Sequence, residues 1–316
     1  MIEEAAPRGE FPDFAELPRD VWPKAVRDYA FEVGDYIELD EDHAVIQVGD
    51  GDRLIVTFES AHEVRQSQED AIPLGFKLAK KMNASVITVL AKRPTWYRSS
   101  AVYGFFDHLT DEGIFEAYDH VMFYGAGMGG YGAAAFSVAS PGADVIAISP
   151  QATLDARMTD WDPRFTSMRR RSFTDRYGYA PDMIEGARHA LVIYNPDDDV
   201  EAMHATLFAR PGVTRFRCKH MGRDIEASLM DVGALTKAIE LASQGKMSLR
   251  TFAKLYRARR NSAIYLKNLL VECQDKDRPK LITWLASTVL QHRRMPIMRR
   301  ALAQANSRLE AADAAE

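Results

Sequence analysis

The hydrophobic positions in the first three quarters of the chain fall into short continuous runs. Eight of these runs predict β-strands: Tyr36–Leu39, Ala44–Val48, Leu54–Phe58, Ser85–Ala91, His120–Tyr124, Val145–Ile148, Ala190–Tyr194 and Thr214–Cys218. The first two flank Asp40-Glu41-Asp42-His43 and predict a hairpin. Apolar strands that alternate with amphipathic segments are typical of a mostly parallel sheet covered by helices on both faces. The pattern therefore predicts a three-layer α/β fold around an eight-stranded sheet.

Helical spacing of apolar residues predicts the helices that cover the sheet. The alternation of strands and helices ends near Gly245. Between the strands lie five amphipathic stretches: Ile72–Met82, Ala101–Leu109, Gly130–Val138, Glu201–Ala209 and Ile225–Ala242. After Gly245 we find no strand pattern, only four helical segments: Leu249–Arg260, Ala263–Cys273, Leu281–His292 and Ile297–Leu309. We therefore expect a polar lead-in (1–34), an α/β domain (35–245) and an all-helical C-terminal module (246–316).

The longest interruption of the strand–helix alternation runs over residues 151–188. A connection of this length usually carries an insertion above the carboxyl ends of the strands, where α/β proteins bind ligands. Residues 151–188 are therefore predicted to form a cap.

Composition narrows the class of protein. Of 316 residues, 47% are hydrophobic and 27% are charged, and no apolar run reaches the length of a transmembrane helix, which argues against wholesale disorder and a membrane span. Two cysteines exclude a disulfide scaffold and fit a reducing cytoplasm, where we expect the protein to be located. No spacing of His, Cys and carboxylate residues indicates a metal site, so neither a metal nor a cofactor is predicted.

The net charge of −5 averages two unequal parts. Residues 246–308 hold 15 Lys and Arg against three Asp and Glu, a net of +12, so the rest of the chain carries −17. Basic helices raise the question of nucleic acid, but no known DNA- or RNA-binding motif is present. The basic segment is better explained by docking on the acidic body of its own chain or of a second copy. The expected partners are a small molecule or a protein, including a homo-oligomer formed through these helices.

The stretch HVMFYGAGMGGYGAAAFSV (120–138) joins a buried strand to a small-residue helix through a glycine-rich turn. Gly125, Gly127 and Gly130 satisfy the dinucleotide motif G-x-G-x-x-G. That motif also needs a carboxylate about 20 residues later, at the end of the next strand. Here that strand ends at Ile148 and is followed by Ser149, which disfavours a dinucleotide site.

The alternative is the strand–turn–helix elbow G-x-S-x-G of α/β hydrolases, with Gly125 and Gly129 at the two glycine positions. The stretch resembles the Y-G-x-S-M-G-G-Y elbow of bacterial α/β hydrolase-like proteins, some linked to polysaccharide synthesis. The resemblance extends over residues 36–244 and implies the α/β hydrolase fold. It also implies that the nucleophile position holds Gly127, which has no hydroxyl to form an acyl-enzyme.

The resemblance places the other two triad positions in the loops after the seventh and eighth strands. The acid would come from Asp197–Asp199, with Asp199 as the candidate, although these residues also suit the start of a helix. Related proteins carry the histidine directly after a glycine, where this chain has Arg223. His220 lies nearby. The residues thus predict a non-catalytic hydrolase-like protein; the alternative is an esterase or acyltransferase with a displaced triad that uses His220 and Asp199.

A ligand site is predicted around this elbow. Backbone amides at Glu59, Ser60 and Met128 would form an oxyanion hole, which can bind an anion or a carbonyl without a nucleophile. The further candidate ligand-binding residues are Trp96 and Tyr97 after the fourth strand, and Gln151 and Arg170 in the cap. Arg170 belongs to a basic cluster, which favours a small anionic ligand; a solvated basic loop or an internal docking patch explains the cluster equally well.

A remote alternative is phosphoadenosine phosphosulfate reductase, an activity sometimes assigned to sequences of this kind. Such reductases carry an S-G-G-x-D-S type phosphate loop and a C-terminal nucleophilic cysteine. The chain has no such loop, and Cys218 and Cys273 fall in a predicted strand and a predicted helix.

Overall fold

The computed structural model describes residues 11–67 and 70–313, and within them eight strands form one sheet. The strands are β1 (Gly34–Glu38), β2 (His43–Val48), β3 (Arg53–Ser60), β4 (Ser85–Ala91), β5 (His120–Ala126), β6 (Asp144–Ile148), β7 (His189–Tyr194) and β8 (Val213–Arg217). Each lies where an apolar run predicts it. The eight-stranded sheet is therefore confirmed.

The strands are arranged in the order β1-β2-β4-β3-β5-β6-β7-β8. Only the β1–β2 and β2–β4 pairs are antiparallel; the five other pairs are parallel. This is the topology of the α/β hydrolase fold, and the expected three-layer architecture is confirmed. Because β3 and β5 are neighbours, the loops that follow them meet at one edge of the sheet, where a ligand site is expected.

Fourteen helices are described: α1 (Trp22–Val33), α2 (Ala61–Ser67), α3 (Leu74–Met82), α4 (Ser100–Asp111), α5 (Met128–Phe136), α6 (Ala156–Thr159), α7 (Ala180–Met183), α8 (Asp199–Leu207), α9 (Ile225–Asp231), α10 (Ala234–Ser243), α11 (Leu249–Leu255), α12 (Ala263–Asp275), α13 (Pro279–His292) and α14 (Pro296–Asp313). Residues of α1, α3, α9 and α10 share one apolar core on one face of the sheet. Residues of α4, α5, α7 and α8 share the core of the other face.

Two regions differ from the sequence expectation. The described part of the lead-in is packed: α1 buries Trp22, Val26 and Ala30, and the Trp22 indole donates a hydrogen bond to the carbonyl of Ala71. Its apolar residues recur every four positions, a helical signal within a polar segment. The predicted helix Ile225–Ala242 is instead two helices, because Gly233 adopts a left-handed conformation (φ +70°) between α9 and α10.

The C-terminal module is all-helical, as expected, and it has two packing environments. Phe252 of α11 and Tyr256, in the 3-10 turn that follows it, make edge-to-face contacts with Phe216 of β8 and belong to the core of the body. A separate core joins α12, α13 and α14, and its buried residues are Leu266, Leu270, Ile282, Ala286, Val289, Met298, Ala301 and Ala305. Within the described ranges, no helix is long and apolar enough to cross a bilayer.

Candidate functional site

The turn between β5 and α5 has the geometry of a nucleophile elbow. Gly127 sits at its tip with φ +53° and ψ −119°, a conformation that is strained for any residue with a β-carbon. Its amide donates to the carbonyl of Ile148 (2.8 Å), which ties the turn to β6. Among the described residues other than its chain neighbours, a β-carbon added to Gly127 would meet one atom within 4 Å, Glu63 Oε1 at 3.6 Å. The position where an elbow presents its nucleophile is therefore open, and it faces a carboxylate.

The neighbouring glycines hold the elbow by close backbone contact. A β-carbon on Gly125 would lie 2.2 Å from the carbonyl oxygen of Gly129, and one on Gly129 would lie 2.2 Å from that of Phe58. One on Gly130 would lie 2.8 Å from the carbonyl oxygen of Ile148. Only glycine permits these approaches, so α5 can pack directly against β3 and β6.

Four carboxylate residues influence one another around this turn. Desolvation, with the charges of Asp224 and Glu59, raises the pKa of Glu63 to about 7. Desolvation also raises the pKa of Glu226 to about 7; Glu63, Asp224 and Glu59 raise it further, against a hydrogen bond from the Tyr124 hydroxyl. The elbow thus lies beside a cluster of carboxyl groups, of which Glu63 and Glu226 are partly protonated near neutral pH. The sequence does not reveal this cluster, because Glu59 and Glu63 lie at the end of β3 and in α2, whereas Asp224 and Glu226 follow β8.

The predicted acid position is used as a helix start. Asn195 is the first residue after β7, Asp198 accepts a hydrogen bond from the amide of Glu201 (3.0 Å), and Asp199 is exposed in the first turn of α8. Carboxylates placed in this way stabilise a helix N-terminus.

His220 and Arg223 differ in their surroundings. The Nε2 atom of His220 lies 2.7 Å from Glu272 Oε2 on α12, and the Asn268 side chain donates to the His220 carbonyl. Lys219 and Lys276 also contact Glu272, and these hydrogen bonds lower its pKa to about 2. Arg223 is exposed. The imidazole of His220 therefore joins the body to the helical module.

The predicted oxyanion loop is close-packed. Glu59 accepts hydrogen bonds from the amides of Leu74 (2.7 Å) and Gly75 (2.9 Å), so its carboxylate caps α3 rather than facing a ligand. Ser60 is buried beside it at the end of β3. The Tyr97 hydroxyl donates to the carbonyl of Glu59 (3.2 Å), which closes this edge of the sheet.

The other predicted ligand residues of the elbow region bond to one another. Trp96 donates through Nε1 to Gln151 Oε1 (2.9 Å), and both side chains are buried. The Met128 sulfur accepts from the amide of Thr95 (3.3 Å). Trp96 and Tyr97 both have left-handed backbone (φ +52° and +55°), an uncommon pair for bulky residues. The structure thus brings these residues together, as packed neighbours.

The cap arginines are mostly engaged within the chain. Arg164 binds Asp162 (Nη2–Oδ2 2.9 Å), and Arg169 donates to three backbone carbonyls of the cap. Arg171 reaches Asp42 (3.3 Å), and Arg176 pairs with Asp107. Arg170 is exposed. Of the alternatives for this cluster, the contacts favour an internal docking patch.

One buried chain of polar groups was not foreseen. His43 Nδ1 lies 2.8 Å from Asp40 Oδ1, and its Nε2 lies 2.6 Å from Thr95 Oγ1. A carboxylate, an imidazole and a hydroxyl in this order form a triad-like relay. Both His43 and Thr95 have no exposed surface, so the relay is closed to a substrate and instead fixes the loop that holds Met128.

His204 is part of a second buried pair, which anchors the cap. Its Nδ1 accepts from the amide of Ala152 (3.1 Å), so Nε2 carries the proton and donates to Asp162 Oδ2 (3.0 Å). Desolvation lowers the pKa of His204, which keeps the ring neutral. The cap is therefore bound to the body through α8.

Two cavities of the described structure lie away from the elbow. One, of about 680 Å³, is formed by cap residues such as Phe173, Tyr179 and Met183. The other, of about 830 Å³, lies in the helical module, between α12 and α13. Over the described residues, no group of three or more His, Cys, Asp and Glu side chains could hold a metal ion.

Of the comparisons with known proteins, the one with solved structures finds similar proteins. No protein-family model matches the chain, and no curated protein matches it. Among solved structures it is similar to a thermostable carboxylesterase cloned from a metagenomic library (14% identity, 76% of this chain and 97% of that chain, TM-score 0.42). It is also similar to the capsule O-acetyltransferase of Neisseria meningitidis serogroup A (15% identity, 64% of this chain and 92% of that chain, TM-score 0.41). A third similar structure is a glycosylation-associated protein complex from Streptococcus agalactiae (15% identity, 67% of this chain and 47% of that chain, TM-score 0.46). At these identities, function has to be argued from the residues themselves.

The first prediction concerns the elbow contact. Replacing Gly129 by Ala places a β-carbon 2.2 Å from a backbone oxygen, so we expect a loss of more than about 3 kcal/mol in the free energy of unfolding, or no folding. Gly104→Ala in α4 is the control, because its β-carbon meets nothing within 4 Å, and it should gain up to about 1 kcal/mol. Urea denaturation measures both. A Gly129→Ala protein as stable as wild type would contradict the close contact.

The second prediction concerns the carboxylates. The pKa of Glu226 is higher in the folded chain (about 7) than its ordinary value of 4.5, so its contribution to stability is complete below pH 4.5 and is lost as the pH rises through 7. Glu226→Gln keeps an acceptor for Tyr124 and removes this loss. We expect the variant to be more stable than wild type at pH 8, by about 1 to 3 kcal/mol, and to show no such gain near pH 5.

Thermal unfolding of wild type and variant across this pH range measures the difference. Glu112→Gln, at an exposed position after α4, is the control and should show no pH-dependent gain. A gain for Glu226→Gln that is equal at pH 5 and pH 8 would argue against the raised pKa.

Proposed function

We propose that this chain is a non-catalytic α/β hydrolase-fold protein that acts by binding a protein partner. The observation that carries the proposal is Gly127, which holds the elbow conformation without a side chain. Glycine adopts φ +53° without strain, so the turn survives in the absence of a hydroxyl. Without a nucleophile at this position, acyl transfer of the usual serine type has no first step.

The surroundings of the missing nucleophile support the same proposal. The loop after β8 offers Arg223, a permanent cation that cannot serve as a general base. His220, the base of the displaced-triad alternative, is 2.7 Å from Glu272 on α12. The acid of the same alternative, Asp199, is exposed in the first turn of α8. Neither the contact of His220 with Glu272 nor the exposed position of Asp199 favours an esterase or acyltransferase that uses these two residues.

The charges argue against a small anionic ligand at the elbow. Glu63 faces the open position at Gly127, and the charges of Asp224 and Glu59 act on Glu63, so above about pH 7 an anion would meet negative charge there. Arg164 and Arg176, whose positive charge would attract an anion, are paired with Asp162 and Asp107. A protein partner is therefore preferred to a small anion. The family resemblance also implies a connection with polysaccharide synthesis. In this proposal, the partner protein is the one that acts in such a pathway.

The reductase alternative is not favoured by the cysteines. Cys218 is fully buried, and this burial raises the pKa of its thiol to about 12, so it carries almost no thiolate near neutral pH. Cys273 lies within α12 rather than in a C-terminal segment.

The proposal predicts that a fluorophosphonate probe does not label the wild-type chain. It also predicts no hydrolysis of p-nitrophenyl acetate above buffer. Gly127→Ser is the matched comparison: its β-carbon fits, but with Arg223 as neighbour the new hydroxyl should label slowly or not at all. Adding Arg223→His should increase the labelling, because an imidazole can accept the serine proton.

Gel-based detection of the probe together with a folding check by circular dichroism completes the experiment. Hydrolysis by wild type that disappears in His220→Ala would sink the proposal and establish the displaced triad. Probe labelling of wild type would do the same, since it requires an activated nucleophile that Gly127 does not provide.

A further inference from the structure

An apolar groove lies between α12 and α13, at the cavity of about 830 Å³. Leu281, Trp284, Leu285 and Thr288 line it from α13, at the spacing of one helical stripe. From α12, the side chains of Tyr265, Leu266, Leu269 and Cys273 complete the walls. The groove is therefore built by two adjacent helix faces and follows the length of α13.

Helix α13 carries more apolar surface than its own core requires. Ile282, Ala286 and Val289 are buried in the core shared with α14. On the groove side, however, Trp284 is 72% exposed and Leu281 is 49% exposed, whereas Trp22 and Trp96 are almost fully buried. A large aromatic side chain left in solvent beside a concave apolar wall is typical of an interaction surface.

The charges that border the groove are of one sign. Arg260 and Arg293 line one end, with His292 beside them, and among the described residues no carboxylate lines it. Two of the three acidic residues of the basic segment are paired elsewhere: Glu272 with Lys219 and His220, and Asp277 with Arg308.

The module is held on the body by contacts other than its arginines. Phe252 and Tyr256 make edge-to-face contacts with Phe216, and the ion pairs described at this junction join Lys219 and His220 of the body to Glu272 of the module. The basic residues of the pairs come from the body, opposite to the expected docking of a basic module on an acidic body. The positive charge at the groove therefore remains available to a partner.

We propose that this groove binds an acidic amphipathic helix of a partner protein. A groove between two helices accepts a third helix whose apolar residues recur at i, i+3 or i+4, and i+7. The 14 residues of α13 span about 21 Å, which matches a partner helix of about four turns. Trp284 and Leu285 contact its apolar stripe, and Arg260 and Arg293 contact its carboxylates. This inference is independent of whether the elbow at Gly127 is catalytic.

The test uses the full chain and a synthetic peptide of about 14 residues, with leucine at the helical stripe positions and glutamate and alanine elsewhere. A second peptide with the same leucines and lysine in place of glutamate is the matched control. Titration is followed by tryptophan emission, in which Trp284 dominates the exposed signal. We expect the acidic peptide to shift the emission to shorter wavelength and to bind at least about tenfold more tightly than the lysine peptide.

Three variants locate the binding site. Trp284→Ala should weaken binding of the acidic peptide about tenfold or more, measured by fluorescence anisotropy of a labelled peptide. Because Trp284 is largely exposed, its thermal midpoint should remain close to that of wild type. The double charge reversal Arg260→Glu and Arg293→Glu should abolish the preference for the acidic peptide. Arg300→Glu, exposed on α14 outside the groove, should leave binding unchanged.

Three results would overturn the proposal. One is equal binding of the two peptides, or binding of neither. Another is a dimer in sedimentation that Leu285→Glu dissociates, which would identify a second copy as the occupant. The third is a blue shift of Trp284 with phosphatidylserine vesicles and not with the acidic peptide, which would identify a membrane surface.

Discussion

The backbone contact between the start of α5 and strand β3 is the constraint on which the candidate site depends. A β-carbon on Gly129 would lie 2.2 Å from the carbonyl oxygen of Phe58, and Gly125 faces Gly129 as closely. These glycines are needed for packing whether or not chemistry occurs, because α5 covers the centre of the sheet. The elbow conformation therefore does not require a hydroxyl at its tip, and its geometry alone is a poor indicator of activity.

Polar side chains in the loops expected to carry the triad and the oxyanion hole have structural roles in this chain. The Glu59 carboxylate caps α3, Asp198 caps α8, and His220 joins the body to Glu272. Each such bond satisfies a polar group that would be costly to leave unpaired at low exposure. The cap is likewise fixed by His204 and Asp162 rather than left to open over a ligand. The edge of the sheet is a packed surface with the Glu63 carboxyl group at Gly127.

The charge imbalance has a different consequence from the one that composition suggests. The basic segment meets the body through edge-to-face aromatic contacts and through Glu272, so its arginines do not neutralise the acidic body at the described contacts. Arg260 and Arg293 instead border the groove that exposes Trp284. The net negative charge of the body also disfavours the approach of an acidic partner there, and the positive charge at the module would direct a partner helix to the groove.

The sequence by itself determined the eight strands, the α/β hydrolase topology, the helical C-terminal region and the position of the elbow at Gly127. Apolar runs and glycine spacing are local properties, because they involve residues only a few positions apart. The resulting order of strands and helices then leaves few possible sheet topologies. Only the tertiary structure decided what His220, Glu59 and the cap arginines contact, and that Glu63 faces Gly127. Those partners lie far apart in the chain, so no local pattern encodes them. The packed helix α1 shows the same limit, because its apolar residues acquire a role only against the sheet.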